Sequence, residues 1–283
     1  SRTGKTIREL DLGAPYDRFQ SAPGGRYYIA SSSLSADMQL SSGIPGYLPG
    51  KVLLLDLAGF TARLINVGQD IATGTFIFPP SPGVGTPTLA AVLLQNGIVV
   101  FDYTDPESTA AIISLGVPGT DLHPGQAVWS HDGRILFSTA EGITDVFAHT
   151  IEKQTNVLGV SPNQISYNHT VASLVTVPEP GFSSRVVAVT TEGQEVAVLS
   201  NSSKSDEFRI SIPGMIGSAG VLQTESGQTW VAVTLAGGTF MLVDPATGAT
   251  KTRDLSDEIV WTQQVPDTDG RYVLVQTRST DGD

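Results

Sequence analysis

Four histidines, His123, His131, His149 and His169, are the side chains in this sequence best suited to hold a metal or move a proton near neutral pH. Two of them pair by position. His123, in Gly119-Thr120-Asp121-Leu122-His123-Pro124, and His169, after Gln164-Ile165-Ser166-Tyr167-Asn168, stand between units of a sequence repeat. Together with Asp121 they offer two imidazoles and a carboxylate, an incomplete donor set for zinc or copper. Neither histidine belongs to a His-x-His or His-x-x-x-His pair, so imidazoles hydrogen-bonded to loop backbone compete with the metal reading. His131 and His149 are expected together on the opposite face, His131 in the turn between first and second strands and His149 at the third-strand end that aspartate takes in other units of the repeat.

Motifs for other chemistry fail on context. Gly4-Lys5-Thr6 looks like the end of a phosphate-binding loop, but the same kind of turn recurs at Thr247-Gly248-Ala249-Thr250 between two predicted strands, and no helix pattern follows either copy. Gly83-Val84-Gly85 lacks a third glycine and lies among Pro79, Pro80, Pro82 and Pro87, which reads as a loop. There is no Gly-x-Ser-x-Gly elbow for a serine hydrolase. The absence of cysteine excludes disulfides, thiolate metal sites and cysteine nucleophiles.

The elements that must position the histidines form a repeat. An apolar run follows a turn, often Gly-Arg, at Gly25-Arg26, Gly133-Arg134, Ser184-Arg185 and Gly270-Arg271, with weaker copies at Pro87-Thr88 and Gln228-Thr229. The six starts at 26, 87, 134, 185, 228 and 271 are 61, 47, 51, 43 and 43 residues apart, a period that suits a four-stranded propeller blade. Each unit then has a third strand that often ends in aspartate, as in Val52-Leu53-Leu54-Leu55-Asp56, Val99-Val100-Phe101-Asp102 and Phe240-Met241-Leu242-Val243-Asp244. That carboxylate can accept backbone N–H groups two residues on and so close the next turn. Helical spacing is found at nearly no point, and helix is expected below about 10% of residues.

Ser130-His131-Asp132-Gly133-Arg134 and Asp244-Pro245-Ala246-Thr247-Gly248 resemble the YVTN-type, or YncE-like, propeller repeats. The resemblance covers the whole chain as a pattern and implies a fold: an all-β propeller of four-stranded antiparallel blades, with five complete blades, partial ones beside them, and six or seven in the full ring. It carries over no functional residue. Residues 1–283 are read as a single propeller domain, incomplete at both ends, because 3–13 match the turn and outer strand of a blade while 270–277 match a second strand. Between Ser31 and Lys51 a long polar insertion is either a surface excursion or a contact surface.

Charge narrows the partners. With 16 Lys+Arg, of which five are lysine, against 28 Asp+Glu, the net charge is −12, which disfavours nucleic acid and anionic membranes, and no apolar run is long enough for a membrane span. Tyr16, Asp17, Asp257 and Glu258 fall at equivalent connections and would make one channel mouth acidic. The leading expectation is a non-enzymatic, extracytoplasmic propeller that binds a protein partner or serves as a scaffold subunit, without a cofactor. A periplasmic zinc carrier using His123, His169 and Asp121 is the second. The resemblance also admits a propeller lactonase or the large subunit of an amine dehydrogenase, although an acidic mouth suits the oxyanion chemistry of a lactonase poorly.

Overall fold

All six expected strands after the Gly-Arg-type turns are present, and each sits second in its sheet. The computed structural model describes residues 9–12, 16–32, 51–67, 71–80, 88–94, 97–105, 110–113, 115, 124–190, 194–203, 206–224, 227–255, 258–264 and 273–278. Residues 1–8, most of the long insertion (33–50), Gly83-Val84-Gly85, Asp121, His123 and Asp257 lie outside that set.

Five four-stranded sheets follow one another in the described residues, each ordered as the chain runs or its reverse. Blade 1 is β1 (Arg18–Ser21), β2 (Tyr27–Ser31), β3 (Lys51–Asp56) and β4 (Thr61–Asn66). Blade 2 is β5 (Ile71–Ile77), β6 (Leu89–Leu94), β7 (Gly97–Asp102) and β8 (Ala111–Ile113). Blade 3 is β9 (Pro124–Trp129), β10 (Ile135–Ala140), β11 (Val146–Gln154) and β12 (Val157–Ile165). Blade 4 is β13 (Ser173–Val175), β14 (Arg185–Thr190), β15 (Glu195–Ser200) and β16 (Asp206–Ser211). Blade 5 is β17 (Ile216–Gln223), β18 (Thr229–Leu235), β19 (Thr239–Val243) and β20 (Thr250–Asp254), and β21 (Glu258–Gln264) pairs with β22 (Val273–Arg278). The one helical element among the described residues is a 3-10 turn, Pro180–Phe182. The fold is all-β and its sheets are those of a β-propeller.

The chain divides into two compact units. One holds Ser1–Phe78, Pro87–Pro124 and Glu152–Val160; the other holds Pro79–Thr86, Gly125–Ile151 and Ser161–Asp283. In the first, β2, β3, β6 and β7 supply one core in which Ile29, Val52, Leu54, Val92, Val99 and Phe101 are buried, with Phe76 set edge-on to Phe101. In the second unit, blade 4 is apolar on both sides. Val186, Ala188, Ala197 and Leu199 pack with Ile135, Phe137 and Ala148 of blade 3, while Val187, Val189, Val196 and Val198 pack with Val231, Val233 and Val243 of blade 5. Alternation along a strand sends neighbours to opposite faces, so a continuous apolar run is what a doubly covered sheet requires.

The strand-end aspartates do the local work expected of them. Asp56 Oδ1 accepts the N–H groups of Ala58 and Gly59, Asp102 Oδ1 those of Thr104 and Asp105, and Asp244 Oδ1 those of Ala246 and Thr247. Neighbouring outer strands then fasten on these turns. Arg63 of β4 donates to the carbonyls of Tyr103 and Asp105 at 3.3 and 3.1 Å, and Asn163 of β12 donates to the corresponding carbonyls of Asn201 and Ser203 at 2.9 and 3.2 Å. The two donors differ in type and make the same bond pattern.

Asp102 is the most enclosed of the three carboxylates. Burial works to raise its pKa, but the Lys153 ammonium at 2.9 Å and the donors of Thr88 and Thr104 outweigh it and hold the group below the ordinary carboxylate range. Lys153 also reaches Asp105 Oδ2 at 2.7 Å. Removing the cation leaves a buried charge uncompensated, so Lys153→Met should cost about 2–3 kcal/mol. Adding Asp102→Asn should recover part of that loss in urea unfolding, because the uncompensated charge is gone.

Candidate functional site

His169 sits in the connection between β12 and β13, beside three residues from two blades. Tyr167 is fully buried and anchors the connection. Asn168 then takes a left-handed conformation, φ +70°, which asparagine tolerates better than most residues, and the next side chain, His169, is 37% exposed. Its ring meets the Tyr167 ring edge-on, with centroids 5.9 Å apart.

The partners come from blade 4. Glu195 opens β15, and the residue before it, Gln194, is also left-handed at φ +46°. Arg209 of β16 donates to Glu195 Oε1 at 3.3 Å and to the Tyr167 carbonyl at 2.9 Å, and its guanidinium stands 5.1 Å from the centre of the Tyr167 ring. His169 Nε2 lies 3.9 Å from the same Glu195 Oε1. Two left-handed non-glycine residues each immediately precede a polar member of this cluster. Such conformations cost on the order of 1 kcal/mol or more and persist where the surroundings impose them, often at functional positions.

The arrangement limits the chemistry. At 3.9 Å the carboxylate is not hydrogen-bonded to the imidazole, so it does not fix a tautomer as a triad carboxylate would. Arg209 already occupies the oxygen that faces His169, and its positive charge opposes a metal ion there. What remains open to solvent is an imidazole edge and part of a guanidinium, 30% exposed, over a carboxylate that is 11% exposed. This is a surface of oriented donors and acceptors supplied by a connection and two neighbouring strands.

Of the expected zinc set, His169 is described and Asp121 and His123 lie outside the described residues. Among the described residues no group of three or more His, Asp and Glu side chains is placed to hold a metal. Sequence reasoning reached His169 but passed over Glu195 and Arg209. The available signal was Glu195 itself, a charge opening the apolar run Glu195-Val196-Ala197-Val198-Leu199.

The other two histidines need one correction. His131 lies in the β9–β10 turn as expected. His149 does not take the aspartate position of blade 3. The N–H groups of Leu57, Tyr103, Ile151 and Asn201 make the same bond to the residue that leads into the second strand, so the residues just before them, Asp56, Asp102, Thr150 and Ser200, correspond. His149 is one residue earlier, opposite Leu136, and a shift of one in a strand reverses the side chain. It is therefore buried, stacked on Phe147, with Nε2 3.2 Å from Ser138 Oγ and a buried Nδ1 that has no hydrogen-bond partner among the described residues. Desolvation pushes its pKa down to about 4.

No protein-family model matches the chain, and no curated protein matches its sequence. Solved structures do. Dihydro-heme d1 dehydrogenase NirN in complex with DHE is similar with a TM-score of 0.60 and 15% identity, over 93% of this chain and 51% of that one. Apo AztD from Citrobacter koseri is similar with a TM-score of 0.51 and 11% identity, over 88% of this chain and 62% of that one. Both are β-propeller proteins, and at these identities the likeness is one of fold. The chain spans about half the length of the NirN chain and under two thirds of AztD.

The buried His149 generates a pH dependence. A histidine titrating near 6.5 when unfolded and at about 4 when folded contributes stability that is complete above pH 6.5 and is lost as pH falls towards 4. The full loss is about 3 kcal/mol. His149→Phe should flatten denaturant stability across that window, while the wild-type protein loses it progressively.

Proposed function

We propose that this protein is a non-enzymatic, extracytoplasmic β-propeller that binds another protein, as a free module or as a scaffold subunit of a larger assembly. The observation that carries the reading is the cluster of Tyr167, His169, Glu195 and Arg209. Its buried carboxylate is charge-compensated within the site, and its exposed atoms are hydrogen-bonding groups, one on the strand β16 and one on a connection anchored by the buried Tyr167. A reaction centre needs a base or nucleophile aimed at a substrate, whereas a recognition surface needs fixed donors and acceptors at the rim. The YncE-like character of the repeats and the scarcity of lysine support the extracytoplasmic assignment.

The experiment is affinity isolation from extracts of the source organism, with wild-type protein and the pair His169→Ala and Arg209→Gln as baits. A stoichiometric partner held by the wild type and weakened about 10-fold or more by the double variant is the expected result, since two hot-spot polar side chains are removed together. Turnover of a lactone by the purified chain would replace this function with an enzymatic one. Zinc retained through chelator-free purification, and lost in His169→Ala, would favour the carrier reading with His123 and Asp121.

A further inference from the structure

Two asparagines of the sequence stand in Asn-x-Ser/Thr triplets, Asn168-His169-Thr170 and Asn201-Ser202-Ser203. Such a triplet is the acceptor for an N-linked glycan in a chain that meets an oligosaccharyltransferase, and a folded protein can carry the glycan only where the asparagine side chain reaches solvent. The structure separates the two.

Asn201 is built into the fold. It follows β15, and its Nδ2, the atom that would carry the sugar, donates to Thr150 Oγ1 of blade 3 at 3.0 Å. Its Oδ1 is buried. Its N–H donates to the Ser184 carbonyl at 2.9 Å, and its carbonyl accepts the Asn163 amide at 2.9 Å. The rest of the triplet is held as firmly, with Ser202 N–H donating to Ser200 Oγ at 3.2 Å and Ser203 N–H to the Ser200 carbonyl at 3.2 Å. A glycan on Nδ2 would compete with the bond to Thr150 and force a bulky group in beside it, so chains modified there fold poorly.

Asn168 is the opposite case. Asn168 and Thr170 are both exposed, and neither makes a hydrogen bond among the described residues. The triplet lies in the connection between β12 and β13, outside both strands, and the buried Tyr167 fixes the chain before it. A glycan on Asn168 Nδ2 therefore disturbs no strand pairing and no core packing. It stands one residue from His169, at the edge of the cluster with Glu195 and Arg209.

We propose that Asn168 is an N-linked glycosylation site and Asn201 is not, and that a glycan at Asn168 closes the blade 4 surface to its partner. In the transfer, Asn168 Nδ2 attacks the anomeric carbon of a lipid-pyrophosphate-linked oligosaccharide. The N–C bond forms, the C–O bond to pyrophosphate breaks, the lipid pyrophosphate leaves, and Nδ2 gives up one proton. The acceptor assignment stands on exposure and bonding alone, whereas the closing of the surface rests on the protein-binding reading of the cluster.

For the test, the full chain is secreted from a eukaryotic host behind a cleaved leader, beside Thr170→Ala, which destroys the acceptor triplet and keeps Asn168 and His169. Thr170 is exposed and without a hydrogen bond among the described residues, so the variant should unfold at the wild-type urea midpoint. Intact mass should show one glycan on the wild type and none on Thr170→Ala. Enzymatic deglycosylation converts a modified asparagine to aspartate, and peptide mapping should find that change at Asn168 while Asn201 remains asparagine. A secreted wild type without a glycan on Asn168, folded protein carrying one on Asn201, or secretion of Thr170→Ala alone would each overturn the assignment. With the two secreted proteins as baits, the glycosylated chain should hold the partner about 10-fold or more weakly than Thr170→Ala, because the glycan is a steric clash at the surface. Equal retention by both would overturn the closing of the surface. If neither holds a partner, the protein-binding reading fails, and the closing of the surface with it, while the glycan map still decides the acceptor.

Discussion

A blade of this protein has apolar side chains on both faces, and that constraint governs the rest of the structure. Val187 and Val189 look one way from β14 and Val186 and Ala188 the other, and all four are buried only because blades 5 and 3 cover them. Full burial of a valine or leucine stabilises by about 1.5–3 kcal/mol, so one exposed blade face forfeits several such terms at once. Sheets of this kind are stable in a stack and unstable singly.

Stacking creates a second requirement, which is met with polar groups. Where sheets abut, the edges of inner strands and the carbonyls of outer turns need partners. Gln20 and Gln126 bridge inner strands, and Arg63 and Asn163 hold outer turns whose geometry was already set by an aspartate or serine. The order of construction is clear: the strand-end side chain closes its turn, the closed turn presents two carbonyls at a fixed spacing, and the preceding blade binds them. Lys153 adds a charge-paired version of the same fastening at Asp102 and Asp105.

The polar surfaces follow from departures within this scheme. Blade 1 carries its amide bridge at Gln20, two residues before Ala22, whereas blade 3 carries it at Gln126, four residues before the equivalent Ser130. Blade 4 begins β15 with a glutamate, and Arg209 answers it. The left-handed Asn168 and Gln194 lead into His169 and Glu195; asparagine suits that conformation locally, whereas at Gln194 the surroundings must impose it.

The repeat period, the second strand of each blade and the aspartate-closed turns at Asp56, Asp102 and Asp244 were all determined by the sequence alone, because apolar periodicity and turn chemistry act over a few residues. One register in blade 3 was not. Thr150 takes the position expected for His149, since β11 runs unbroken from Val146 to Gln154 and has no aspartate to mark where pairing with β10 stops. The Glu195–Arg209 pair, the Gln20 bridge to Phe76 and the enclosure of His149 were decided by tertiary structure. Each joins or buries residues through packing between strands, over separations of up to 56 residues, and no local spacing encodes which strand edges will meet.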